Sequence, residues 1–193
     1  MPWTKNFDIE QTLDKAMCLF WARGFEATSL EDLVQGMGIN RGSIYSTYGD
    51  KRKLFIAALK RYDVTCRKAQ LAALEREHSP MAAIKALFQT WIDRVMSDGE
   101  NNGCFLTNTA LELAAHDEEI GAIVAESQRD IEKFFGRLIK KGQQAGDISK
   151  HLSPHRTAQS LLAALIGLLV LSRSRRDRNL LKSIADGAMA ILA

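Results

Sequence analysis

The densest set of groups able to act on another molecule lies between Asn40 and Lys53, where Arg41, Lys51, Arg52 and Lys53 stand against one acid, Asp50. Cations in that density suit phosphate, and the hydroxyls and guanidinium beside them suit the donor and acceptor edges of bases in a major groove. Within Arg41-Gly42-Ser43-Ile44-Tyr45-Ser46-Thr47-Tyr48 only Ile44 and Tyr48 have core-facing character. Helical spacing therefore predicts that Arg41, Ser43, Tyr45, Ser46 and Thr47 face outward. Aromatic residues this close in sequence usually pack inside, which is the reading for Tyr48 but not for Tyr45.

No competing chemistry assembles elsewhere. The chain has no GxSxG, Walker loop or HExxH. His151 and His155 are four apart, but Pro154 interrupts any shared helical face, and His116 beside Asp117, Glu118 and Glu119 reads as a polar helix start. Gly36, Gly38 and Gly42 lack the spacing and the preceding strand of a dinucleotide loop. Cys18, Cys66 and Cys104 are odd in number and far apart, as expected of reduced thiols, not of a disulfide framework or zinc site. No catalytic residue, metal or cofactor is expected. The competing class is an all-α small-molecule-binding protein or enzyme that does not bind DNA.

The elements that must position these groups read as helices throughout. The prolines stand at positions 2, 80 and 154, outside or at the start of helical patterns, and no alternating strand pattern of useful length occurs. With 193 residues, 46% hydrophobic and 25% charged, the chain is predicted to be a folded all-α protein, and its net charge of +3 permits nucleic-acid binding without demanding it. The first helix starts at Asp8 as N-cap, carries Ile9, Leu13, Ala16, Met17 and Phe20 on one face, and ends at Gly24. Ser29 caps the second, which Gly38 closes in a left-handed turn, and Asn40 caps the short polar third. Two short helices about a tight glycine turn make a helix-turn-helix. Asp50 then caps a long helix from Lys51 to about Glu77, and Pro80 opens one reaching the polar loop at 97–103. Further helices are predicted at about Phe105 to Ala115, Asp117 to Gly142, Pro154 to Arg173 and Arg178 to Leu192.

With that frame in place, Gly24-Phe25-Glu26-Ala27-Thr28-Ser29-Leu30, then Gly38-Ile39-Asn40-Arg41-Gly42-Ser43-Ile44-Tyr45, then Tyr48-Gly49-Asp50-Lys51, resembles the TetR/AcrR family of tetracycline-repressor-like transcription regulators. The resemblance covers about the first 55 residues. It implies a three-helix helix-turn-helix domain at 1–50 and a larger helical ligand-sensing and dimerisation domain at 51–193. It also implies phosphate contacts from Thr28, Ser29 and Lys51 and a groove-facing set at Arg41, Gly42, Ser43, Tyr45, Ser46 and Thr47. Thr47 departs from the histidine or aromatic residue expected there. The run Gly103-Cys104-Phe105-Leu106-Thr107-Asn108 resembles a subgroup with a Gly-Cys pair before a helix, some of whose members sense electrophiles or oxidants through cysteine.

The remaining expectations concern the larger half. Bulky residues Phe88, Trp91, Met96, Phe105, Phe134, Phe135 and Leu138, with Cys104 and the polar Asn108 and Thr107, are the candidate lining of a ligand pocket, against the alternative that they are ordinary core. The helix around Leu161 to Leu171 is apolar on its whole circumference and needs cover on more than one side. The resemblance implies that it pairs with its copy in a homodimer, through Leu161, Ala164, Leu165, Leu168 and Leu171 together with Ile184 and Ala188 of the last helix. Its apolar run falls short of the roughly 20 residues that span a bilayer, and the N-terminus has no secretory pattern, so a cytoplasmic protein with no membrane partner is expected. The function these readings point to is a repressor that holds a double-stranded operator as a dimer and is released by a small-molecule inducer or electrophile.

Overall fold

Local capping signals build the N-terminal unit. In the computed structural model, which describes residues 7–97 and 102–192, α1 spans Ile9–Arg23, and the Asp8 carboxylate accepts from the amides of Glu10 and Gln11 at 2.8 and 3.2 Å. The predicted opening stretch before Phe7 and the loop positions 98–101 lie outside the described residues. Helix α2, Leu30–Met37, begins with a reciprocal box in which the Ser29 hydroxyl accepts from the Asp32 amide and Asp32 accepts from the Ser29 amide. Gly38, at φ 73° and ψ 27°, turns the chain by the left-handed route that glycine takes without strain. Asn40 caps α3, Arg41–Tyr48, and Asp50 caps α4, Lys51–Tyr62, through the amides of Ser43 and Lys53 at 2.8 and 2.7 Å.

The long helix expected from Lys51 to Glu77 changes its winding midway. Residues Asp63–Lys68 form a π-helical segment between α4 and α5, Ala69–Glu77. The single run of helical periodicity concealed this, because side-chain spacing hardly distinguishes one wider turn from an α turn. In the structure that segment carries a buried arginine, Arg67.

The larger half continues with α6, Pro80–Met96; α7, Phe105–Glu112; α8, Glu118–Ala145; α9, Pro154–Ser174; and α10, Arg178–Ala190. Helix α8 does not stop at Gly142 as predicted but runs to a left-handed cap at Gly146. Gly142 serves packing instead: a Cβ there would stand 2.5 Å from Ile148 Cδ1. Among the described residues the structure is helical with no strand, and one continuous core runs from Phe20 and Leu33 through Phe55 and Phe105 to Phe135 and Leu168. Helix α9 packs most extensively on α8 and also touches α6, α7 and α10. By length and composition α9 is apolar enough to cross a membrane, a property that the buried helix of a soluble fold shares.

Candidate nucleic-acid interface

Helix α3 is held against the core by Ile44, which is fully buried, and by Tyr48, whose hydroxyl donates to the Ile9 carbonyl at 3.0 Å and lies 2.9 Å from the Thr12 hydroxyl. The opposite side carries Arg41, Tyr45 and Ser46, all exposed, with Tyr45 at 43%. The Arg41 guanidinium lies 6.0 Å from the Tyr45 ring centroid and 3.8 Å from Glu31 of α2, a weak, solvated pair that phosphate or a base can displace. Gly42 is exposed on the same stretch, and a Cβ there would meet Asn40 Oδ1, the cap of the helix, at 3.3 Å.

Three groups stand differently from expectation. Ser43 is 7% exposed, so it is not on the outward side; its position one residue before Ile44 turns it into the contact with the rest of the unit. Thr28 is fully buried, and its hydroxyl donates to the Gly24 carbonyl at 2.6 Å, which removes it as a phosphate ligand in this arrangement. Thr47 is half-buried, with its hydroxyl oxygen buried and unpaired. Ser29 is exposed, but its hydroxyl is engaged with Asp32. That hydrogen bonding, reinforced by Arg23, holds the Asp32 carboxyl down at about 2.

Lys51 opens α4 with its ammonium 4.3 Å from the Phe25 ring centroid, a contact that orients the cation at the helix start. Its neighbour Arg52 is turned to another task. Its Nε and Nη2 donate to the two oxygens of Asp117 at 2.6 and 2.9 Å, and Nη2 also reaches Glu119 at 3.0 Å. Asp117 caps α8, so the start of α4 is tied to the start of the longest helix of the larger half. Two further contacts cross the same junction: the Trp21 indole donates to the Gly103 carbonyl at 2.9 Å, and the Glu112 carboxylate accepts from the Glu26 amide at 2.9 Å. Sequence spacing had no signal for these three pairs, which join residues 65, 82 and 86 positions apart.

Inside the larger half a cavity of about 40 Å³ lies among the π segment, α5, α6, α7, α8 and α9. Of the residues proposed to line a pocket, Trp91 and Cys104 do so, and so does Thr107. Phe88, Phe105, Phe134, Phe135 and Leu138 are instead fully packed core, with Phe88 and Phe135 stacked at 6.4 Å and Phe105 edge-on to Phe55 at 5.4 Å. Met96 is packed at the edge of the core, and Asn108 is spent on the Asn102 carbonyl at 2.7 Å. Large rings fill space and therefore close a cavity more often than they border one.

What the sequence reading missed is the polar end of this cavity: Tyr62, Arg67, Gln70, Ser127 and Gln128. Arg67 is 7% exposed, bonded through Nε to Asp63 at 2.5 Å and through Nη2 to Asp130 at 3.1 Å. Arg67 Nη1 and Gln70 Nε2 are buried without an acceptor. A donor left so costs about 1–3 kcal/mol, and more when charged, which makes the pair exceptional in a folded protein. The Cys104 thiol is buried at the start of α7 and accepts from the Tyr62 hydroxyl at 3.6 Å. Burial, reinforced by Cys104, holds that phenol well above its ordinary range, so it stays a donor. No group of three or more metal-ligating side chains occurs among the described residues.

An all-α chain that presents a short polar helix after a glycine turn, fixed to a larger helical half with an internal cavity, defines a helix-turn-helix regulator. The comparisons give the family. The description "Bacterial regulatory proteins, tetR family" matches residues 13–58, and "Tetracyclin repressor-like, C-terminal domain" matches residues 80–187. The HTH-type transcriptional repressor ComR of Escherichia coli (strain K12) is 30% identical over 188 residues, covering 97% of this chain and 90% of its own. The uncharacterized HTH-type transcriptional regulator YezE of Bacillus subtilis (strain 168) is 28% identical over 189 residues, 97% of each chain. A cysteine mutant of the TetR family regulator CifR, solved with 26 bp of double-strand operator DNA, matches with a TM-score of 0.86 at 25% identity over 99% of this chain and 100% of that one. The chain belongs to the TetR family and is a DNA-binding transcription regulator, not an enzyme. The competing reading of a carrier or catalyst without DNA binding falls with that finding.

Proposed function

We propose that the protein is a cytoplasmic repressor that binds a palindromic operator as a homodimer and is released by a small-molecule inducer or by modification of Cys104. The observation that carries the reading is the outward side of α3, where Arg41, Tyr45 and Ser46 stand exposed beside Gly42 and ahead of Lys51. The repressor named among the relatives and the operator complex named among the similar structures favour it. Residues 1–50 supply the DNA-binding domain and 51–193 the sensing and dimerisation domain. Arg41 and Ser46 read base edges, Tyr45 and Lys51 engage the backbone, and Ser29 sets the angle of α2 on it.

The dimer face differs in composition from the set read off the apolar run. Leu161, Leu165, Leu168 and Ala188 are buried within the protomer and belong to its own core. Ala164 and Ile184 are half-buried, and Leu171 is 39% exposed. The face left for a second copy runs along Ala163, Gly167 and Leu171 of α9, Ile184 and Gly187 of α10, and Ile191 just after it. A Cβ at Gly167 or Gly187 would meet nothing within 4 Å, and only 39% of the most apolar stretch of α9 is buried by its own chain. Two copies paired there place two α3 helices for successive major grooves, about 34–36 Å apart. Ligand in the cavity changes that spacing through the Arg52–Asp117 tie, with a coupling free energy of about 1–3 kcal/mol.

Selection of bound fragments from random duplex DNA tests the reading. Enrichment of a palindrome with half-sites one turn apart is expected. Recovery of unrelated sequences, or of a single unpaired half-site by a one-copy species, would overturn it.

A further inference from the structure

The cavity's polar end has a chemical bias. Two donors on its lining residues, Arg67 Nη1 and Gln70 Nε2, are buried without an acceptor. Apart from Thr107, the remainder of the wall is mostly apolar, with Leu87, Trp91, Leu165 and Leu169. Arg67 cannot turn away to satisfy itself, because Asp63 and Asp130 grip its other nitrogens, and Lys68 Nζ closes the cluster at 3.0 Å from Asp63. Burial lowers the guanidinium's pKa, but the two carboxylates outweigh it and keep the group charged and donating.

We infer that this cavity selects small, mostly apolar molecules whose polar end only accepts hydrogen bonds, such as a carboxylate or ketone oxygen, seated on Arg67 Nη1 and Gln70 Nε2. The inference rests on the reading of the cavity as the inducer site and names the class of compound it takes. An ammonium or other donor-only head would leave the Arg67 and Gln70 donors unpaired and set a cation beside a guanidinium, a mismatch that buried sites reject strongly. At about 40 Å³ the cavity holds little more than one or two waters, so an inducer has to spread the surrounding helices. Arg67 lies on the π segment that continues directly from α4, so an acceptor that seats on Nη1 bears on the helix that begins at Lys51.

Hexanoate, 2-hexanone and hexylammonium share one apolar tail and differ at the head. Thermal unfolding of the full chain with each, followed by operator binding with each, tests the assignment. Hexanoate or 2-hexanone is expected to raise Tm as ligands of the native state do, and hexylammonium is not. Gln70→Met keeps the bulk and removes the donor, and should weaken the acceptor-headed probes about tenfold. Gln70→Glu places an acceptor where a donor stood and should abolish the response to hexanoate. Equal stabilisation by hexylammonium, no stabilisation by either acceptor-headed probe, or unchanged binding in Gln70→Met overturns the inference. A Tm shift with the expected head preference but no operator release upholds it and sinks the sensing role of the cavity. Release by other compounds while both oxygen-headed probes stay silent sinks it and leaves the sensing role standing.

Discussion

Arg52 and Asp117 form a two-pronged ion pair, Nε to Oδ2 at 2.6 Å and Nη2 to Oδ1 at 2.9 Å, between the first turn of α4 and the residue that caps α8. Arg52 follows the proposed phosphate ligand Lys51 directly, so this planar pair, with the Trp21–Gly103 and Glu26–Glu112 contacts, ties the operator-facing unit to the larger half.

That pair has a pH signature. Hydrogen bonding by Arg52, helped by the Ile120 amide, holds the Asp117 carboxyl down at about 2, below the ordinary value of about 3.9. A depressed carboxyl contributes stability above its unfolded pKa and loses it as pH falls through the folded one. Asp117→Asn keeps a competent helix cap but removes the charge. Its Tm should lie below wild type at neutral pH, and the two should converge as pH drops from about 4 to about 2. A difference that persists unchanged at the acid end would assign the loss to something other than the ion pair. The same variant should bind operator almost normally without inducer while responding less to it.

Arg41 and Lys51 should separate by the kind of loss they cause. Arg41→Ala is expected to cost about 1–3 kcal/mol and to relax discrimination at one base pair of each half-site. Lys51→Ala should weaken all sequences alike and lower the salt slope of binding by about one unit. Titrations on matched operator and scrambled duplex across a salt series distinguish them; uniform weakening by Arg41→Ala would reassign that residue to the backbone.

Cysteine sensing can be isolated because the other thiols serve as controls: Cys18 is exposed and Cys66 half-buried, whereas Cys104 is buried against Tyr62. Alkylation should reduce operator affinity of the wild type and of Cys18→Ser and Cys66→Ser variants, but not of Cys104→Ser. The route is steric, since Tyr62 stands edge-on to Trp21 at 4.9 Å, and Trp21 holds Gly103. If Cys104→Ser loses affinity on alkylation as the wild type does, Cys104 is ordinary core.

Leu171→Glu places a charge on the exposed apolar face of α9 without entering the protomer core. Sedimentation should show a single-copy species, and operator affinity should fall at least tenfold, about 1.4 kcal/mol, with the helical signal retained. A variant that stays dimeric would move the interface elsewhere.

Much of this was readable before any coordinates. Asp8, Ser29, Asn40 and Asp50 cap the helices they were expected to cap, because a cap is a hydrogen bond between neighbours in the chain. Ile44 and Tyr48 also take the inner side of α3 as spacing predicts. Ser43 and Thr28 do not follow, since burial of a small polar residue depends on the neighbour across the interface. The same limit applies to Leu161, Leu165 and Leu168: periodicity marks an apolar side but does not say which chain covers it.

The order of residues alone therefore determined the helices, their caps, the glycine turn and the class of partner, all consequences of interactions within a few positions. Tertiary structure decided what encloses Arg67 and Gln70, which aromatic rings close the cavity and which border it, and how Arg52 binds the two halves. Those outcomes depend on packing between segments distant in the chain, where a side chain's environment is made by residues that its own neighbourhood does not specify.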